Sequence, residues 1–262
     1  MSAHRQTRVN TVKLTLLALL GLGALAGCAG GLLRPAGTVP TSQATESALT
    51  LVDAAAGAVL SGGSVHVDVT TISPGGSLTQ SADVTASGGR AVVTVDKTEH
   101  VTILFTGGVA YVEANQAALE NIFEVPATQA EYYWDEWIAV RSGEKLGLES
   151  YDDLTSGMTL SSLANQLQIC GACTLTSPTT VAGQPVFGVQ APLPADQQAP
   201  ASARQVLYLT DNAQQRPVLL EARGDGGSTN RASFSGWHET VQLSSPKDPV
   251  PAWLVTPAAS AT

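Results

Sequence analysis

Three cysteines hold most of the reactive potential of this 262-residue chain, and their placement assigns them two kinds of chemistry. Cys28 follows Leu25, Ala26 and Gly27 at the end of an apolar run that begins near Leu14 and is preceded by Arg5, Arg8 and Lys13. A basic start, an apolar segment and small residues before the cut are the marks of an export signal. A cysteine directly after Leu-Ala-Gly is the lipobox arrangement, in which cleavage falls between Gly27 and Cys28 and the Cys28 sulfur takes a diacylglycerol. The apolar run is short of the ~20 residues a spanning helix needs, and two acyl chains anchor stably where one does not. The expectation is a lipid-anchored protein on the extracytoplasmic face of the plasma membrane.

Cys170 and Cys173 form a Cys-Gly-Ala-Cys motif. In an exported chain such a pair is expected to be oxidised. A redox-active dithiol needs one exposed, stabilised thiolate, in the best-known setting at a helix N-terminus after a strand. Here the motif follows the amphipathic stretch Leu160 to Leu167 and leads into a Thr-rich segment. It reads first as a structural disulfide closing that corner, with a thiol-disulfide enzyme as the rival. Zinc would need further ligands; His100 and His238 are remote in sequence and no second cysteine pair exists, so no metal and no cofactor are expected.

Other reactive-looking patterns lack their companions. Ser142-Gly143-Glu144-Lys145 has the Ser-x-x-Lys spacing of penicillin-recognising enzymes without their Ser-Asp-Asn or Lys-Thr-Gly motifs. Asp135-Glu136 and Asp152-Asp153 read as solvated faces, and Arg223-Gly224-Asp225 as turn chemistry. No Gly-x-Ser-x-Gly elbow, phosphate loop or calcium loop occurs, so no enzymatic activity is expected. Cleavage before Cys28 removes three of the 13 basic residues and none of the 22 acidic ones, leaving a net charge of −12. That charge argues against nucleic acid as a partner, since phosphates need a basic face. It argues equally against electrostatic adhesion to anionic lipid.

The elements that would position any site follow from hydrophobic period. Residues 1–27 form the signal and 28–44 a flexible Gly- and Pro-rich tether. Leu49, Val52, Ala56 and Val59 recur at helical spacing and predict a helix over about 45–60. The period then becomes two: Val65, Val67 and Val69 alternate with His66, Asp68 and Thr70. Strands are expected at 78–85, 90–95 and 101–105, with 109–113 returning across Gly107-Gly108. Between Asn115 and Leu167 the alternation breaks into an insertion, including a helix over 159–167, expected to lie across the sheet. Strands resume at 175–181, 186–190, 204–209 and 217–223, with a last pair at 231–237 and 239–243. One domain over 45–245 is predicted, followed by a loose tail at 246–262. The fold class is α+β: a curled antiparallel half-barrel of 10 or 11 strands with helices covering its concave face, because a flat sheet of that size would leave long edges and an uncovered apolar face.

Several phrases carry a family likeness: Phe105-Thr106-Gly107-Gly108-Val109-Ala110-Tyr111, Val181-Ala182-Gly183-Gln184-Pro185-Val186, Leu207-Tyr208-Leu209-Thr210 with Arg216-Pro217-Val218, and Ala232-Ser233-Phe234-Ser235-Gly236-Trp237. With the order lipobox, linker, helix, strand meander, helical insertion and second meander, the chain over residues 45–250 resembles the LolA-like and LppX/LprG-like superfamily of bacterial lipoprotein and glycolipid carriers. The phrases are hairpin chemistry and speak to fold more than function. The resemblance implies a half-barrel whose concave face and helical lid enclose a space for acyl chains of a lipid or glycolipid. It also admits an envelope sensor or interaction module with a protein partner. Each buried methylene is worth about 0.8 kcal/mol, so a ten-carbon chain offers about 8 kcal/mol before ordering costs. The inward residues expected to line the space are Val67, Val69, Val93, Ile103, Phe105, Val109, Tyr111, Leu207, Leu209, Leu220 and Phe234. They serve as an ordinary filled core if no ligand enters. Tyr132, Tyr133, Trp134 and Trp137 are the lid or mouth residues, and with the Cys170 and Cys173 pair they depart from the family pattern.

Overall fold

A computed structural model describes residues 43–169, 172–193, 203–224 and 227–256. Cys28, Gly27, the signal, most of the tether and Cys170 lie outside these residues.

The chain opens with helix α1 (Gln43–Ser61) and continues through a meander, β1 (Ser64–Ser73), β2 (Gly76–Thr85), β3 (Gly89–Val95), β4 (Glu99–Thr106) and β5 (Val109–Ala114). The insertion holds α2 (Gln116–Asn121), α3 (Ala127–Tyr133), β6 (Ile138–Val140), the hairpin β7 (Lys145–Leu146) and β8 (Glu149–Ser150), α4 (Tyr151–Thr155) and α5 (Leu160–Gln166). A second meander follows: β9 (Thr174–Leu175), β10 (Thr179–Val181), β11 (Gln184–Pro192), β12 (Arg204–Thr210), β13 (Pro217–Arg223) and β14 (Thr229–Ser235). The chain closes on β15 (Val250–Pro251) and α6 (Ala252–Val255).

Thirteen strands form one sheet in the order β10-β11-β12-β13-β14-β1-β2-β3-β4-β5-β6-β15, with β9 beside β11. The two meanders are welded where β1 pairs antiparallel with β14, Val67 facing Phe234 and Val69 facing Ala232. The terminal strands β10 and β15 do not meet, so the sheet is a curled, open half-barrel, in agreement with the expected fold class, with thirteen strands in place of the expected 10 or 11 because the short β6, β9, β10 and β15 extend its ends.

Local chemistry explains the helices. Asn115 caps α2 by accepting from the Ala118 N–H, Ser150 and Asp153 form a capping box on α4, and Thr159 caps α5 through the Ser162 N–H. On α1 the buried stripe is Ala48, Val52, Ala55, Ala56 and Val59, and Leu49 is 41% exposed. Val52, Ala56 and Val59 are buried as expected, and only Leu49 falls outside the stripe, its place taken by Ala48. The helix packs along α5 and across β9, β11 and β13.

Four sequence expectations are corrected. The 175–181 strand is two short pieces, β9 and β10, separated around Pro178, whose ring cannot donate to a ladder. Residues 239–243 form no strand, because both edges of β14 are taken by β13 and β1, and positive φ at Gly236 and His238 turns the chain away. The tail is not loose through residue 255: Val250 and Pro251 pair parallel with Ile138 and Ala139, and Ala252 and Val255 are fully buried. The parity expected for β5 is off by one. A two-residue turn at Gly107-Gly108 pairs Thr106 with Val109, so Ile103 faces Val112 and Leu104 faces Tyr111. Val109 and Tyr111 thus lie on the convex face, while Ala110, Val112 and Ala114 share the concave face with Ile103 and Phe105.

Candidate functional site

The concave face is built from cross-strand rows, since directly paired residues share a face. One row runs Val189, Leu207, Leu220, Ala232, Val69, Gln80, Val93, Val101 and Ala114. The next runs Phe234, Val67, Ala82, Ala91, Ile103, Val112 and Ile138. Of the eleven expected lining residues, nine fall on this surface: Val67, Val69, Val93, Ile103, Leu207, Leu209, Leu220 and Phe234 are buried, and Phe105 is partly buried at its margin. Val109 and Tyr111 belong to the small convex cluster with Leu104, Ala139, Trp137 and Leu243.

The insertion and α1 cover the concave surface. Leu119, Phe123, Leu154, Met158, Leu163 and Leu167 are fully buried in the same core as the sheet residues. One point of closure is visible where α4 meets the tip of the β4–β5 hairpin. The Tyr151 hydroxyl donates to the Gly108 carbonyl at 3.1 Å, and its ring meets Phe105 edge-on with centroids 6.2 Å apart. The expected aromatic lid does not gather into one cluster. Tyr133 packs on the main core, Trp137 packs on the convex cluster, and Tyr132 and Trp134 are exposed at 76% and 51%. Trp253 and Leu254 of α6, beside α3, are exposed as well.

Two polar features of the sheet escaped the sequence reading. Gln205 and Gln80 are buried on the concave face, at 2% and 7% exposure, and Gln205 Oε1 has no hydrogen-bond partner. The only sequence signal is a glutamine at an inward strand position. On the convex face His66 Nδ1 lies 2.7 Å from Asp83 Oδ1, and Nε2 lies 3.2 Å from both Ser81 Oγ and Asp68 Oδ1. Burial works to lower the His66 pKa, but the hydrogen bond to Asp83 and the charges of Asp68 and Asp83 outweigh it, and the net shift is upward. Serine, histidine and aspartate stand in relay order here. Asp68 competes for the nitrogen that would serve Ser81, however, and the backbone N–H groups of β1 and β2, paired on both sides, are committed to the ladder. The backbone of these two strands therefore offers no free donors of the kind that hold an oxyanion in acyl transfer. The cluster is an electrostatic lock between β1 and β2.

Glu149, beside the turn of the β7–β8 hairpin, has its pKa pushed up to about 7 by burial and by the nearby charge of Asp153. Glu113 on the convex face is raised by burial and by Asp135, against an opposing pull from Arg90. Cys173 is buried, its Sγ 3.5 Å from the Ile169 carbonyl. Its pairing with Cys170 rests on a residue outside those described. Among the described residues, no group of three or more histidine, cysteine or acidic side chains is arranged to hold a metal ion, and no helix is long and apolar enough to cross a membrane.

No protein-family model and no curated relative matches the sequence. Solved structures do match in shape. LprF from Mycobacterium bovis aligns with a TM-score of 0.50 at 16% identity, covering 78% of this chain and 99% of its own. The Mycobacterium tuberculosis lipoprotein LppX aligns with a TM-score of 0.50 at 18% identity, covering 76% of this chain and 99% of its own. At these identities the likeness is one of fold, and at that level it agrees with the LppX/LprG-like architecture expected from the sequence.

Proposed function

We propose that the chain is an extracytoplasmic lipoprotein, anchored through Cys28, that holds the acyl chains of a lipid or glycolipid against the concave face of its half-barrel. The observation that carries the reading is the concave face itself: cross-strand rows of Val, Leu, Ile, Ala and Phe, interrupted by Gln80, beneath a cover of α1 and the short helices of the insertion. A surface of that kind is satisfied only by apolar atoms. Acyl chains qualify as well as side chains do, at about 0.8 kcal/mol per methylene. The shared fold with LprF and the lipoprotein LppX supports the reading, as does the lipobox ending at Cys28. The reading is non-catalytic, and the Cys170–Cys173 disulfide would serve to pin the turn after α5.

The test is native mass spectrometry and lipid extraction on the full chain purified from an actinobacterial host. A stoichiometric co-purifying lipid supports the carrier reading and identifies the cargo. An empty protein that also rejects fluorescent acyl probes overturns it. That outcome would favour a second reading, an envelope sensor or interaction module with a filled core, which the complete burial of Phe123, Leu119, Leu154 and Met158 supports.

A further inference from the structure

We propose that Gln205 is a recognition group for the bound amphiphile, accepting a hydrogen bond from a hydroxyl or amide N–H that the ligand carries close to its acyl chains. The inference rests on the lipid-binding reading above and narrows its substrate class. Gln205 lies on β12 at the concave face, 2% exposed, with Oε1 cut off from water and without a donor in the protein. Buried polar atoms are nearly always paired, and the exceptions mark a group waiting for something from outside the chain or a reservoir of strain. The carboxamide oxygen has two lone pairs to satisfy.

The surroundings fit a missing donor better than a packing accident. Directly across from Gln205 stand Ala191 on β11 and Ala222 on β13, both small and buried. Neither alanine side chain carries a polar atom that could serve the amide. The same cross-strand row continues from Ala222 through Asn230 on β14 to Thr71 on β1. Gln80 on β2 lies in the adjacent row, 7% exposed, so a polar seam crosses an otherwise apolar face from β12 to β2.

The chemistry of the seam discriminates among lipids. A bare hydrocarbon leaves Oε1 orphaned, and an ester brings only further acceptors. A free hydroxyl or an amide N–H supplies the donor. The favoured ligand is therefore an incompletely esterified or amide-bearing lipid, and a fully esterified one is disfavoured.

The experiment titrates the full chain, in detergent micelles with a fluorescent acyl probe, against two competitors that differ in one group. One is 1,2-dipalmitoylglycerol, with a free hydroxyl; the other is 1,2-dipalmitoyl-3-acetylglycerol, in which that hydroxyl is esterified. The wild type is expected to bind the first about tenfold more tightly, the scale of one buried hydrogen bond. Gln205→Leu should abolish the preference by weakening only the hydroxyl lipid, and Gln205→Met should do the same. Both variants should melt at or above the temperature of the lipid-free wild type, because an orphaned acceptor is removed. Equal wild-type affinity for the two lipids, or a preference that survives both substitutions, overturns the inference while leaving lipid binding intact. Failure to take either lipid overturns the lipid-binding reading and this inference with it.

Discussion

Glu149 shows most directly how burial sets the charge of a single residue in this fold. Its pKa, pushed up to about 7 by burial and Asp153, lies above that of an ordinary glutamate in the unfolded chain. Between about pH 4.5 and 7 the folded state therefore holds a proton that the unfolded state has released, and stability falls as pH rises through that window. The group is partly exposed, so solvent screening limits the size of the effect. Glu149→Gln should raise stability against urea at pH 8 and leave it unchanged at pH 4; an equal shift at both values would assign the effect to packing instead. His66 acts with the same sign at higher pH. Its folded pKa is raised, so its contribution is complete below about 6.5 and is lost as pH rises through the folded value. Alternation alone had placed His66 and Asp68 outward. Asp83, 17 residues away, becomes a partner only through the β1–β2 register, which no local pattern encodes.

Elements were legible where one face was apolar and the other polar. The β1–β4 hairpins and α1 emerge where hydrophobic period places them, because each buries one side. The readings that failed lack that contrast. β5 is apolar on both faces, so its alternation could not choose between Val109 with Tyr111 and Ala110 with Val112, and the turn length decided the matter. The expected strand at 239–243 failed because β14 pairs with β1, about 165 residues distant, and has no free edge left. The closing segment was misjudged because prolines at 246, 249 and 251 suggest loose chain, yet Pro251 sits on a short terminal strand where a missing N–H costs little. Its docking has a consequence for stability. Ending the chain after Ser245 strips Val250 from Ile138 and removes the buried Ala252 and Val255. The loss of one buried valine and its neighbours should cost about 2–4 kcal/mol. A thermal melt of the truncated chain checks it, and an unchanged midpoint would mean that β6 holds its place without β15.

At the scale of the whole molecule, the two meanders and the insertion set how a ligand could reach the concave face. The sheet is continuous from β10 to β15, so its strands offer no path inward, and the helices lie over the apolar rows. On the lipid-binding proposal, one part of the cover that displacement would open is the insertion, whose short helices α4 and α5 hold themselves by side-chain caps and by a few buried residues each. The contact of Tyr151 with Gly108 and Phe105 ties the start of α4 to the sheet. Tyr151→Phe keeps the ring against Phe105 and removes only the hydroxyl bond, which is partly solvated and worth about 0.5–1 kcal/mol. If α4 is the element that moves, the lost bond lowers the barrier to opening, and acyl-probe uptake should quicken roughly 2- to 5-fold with little change in final affinity. Stopped-flow fluorescence with the wild type and Tyr151→Phe reads this directly. An unaltered uptake rate, with the melting temperature lowered as expected for a lost bond, would place the route elsewhere and leave α4 as a fixed part of the core.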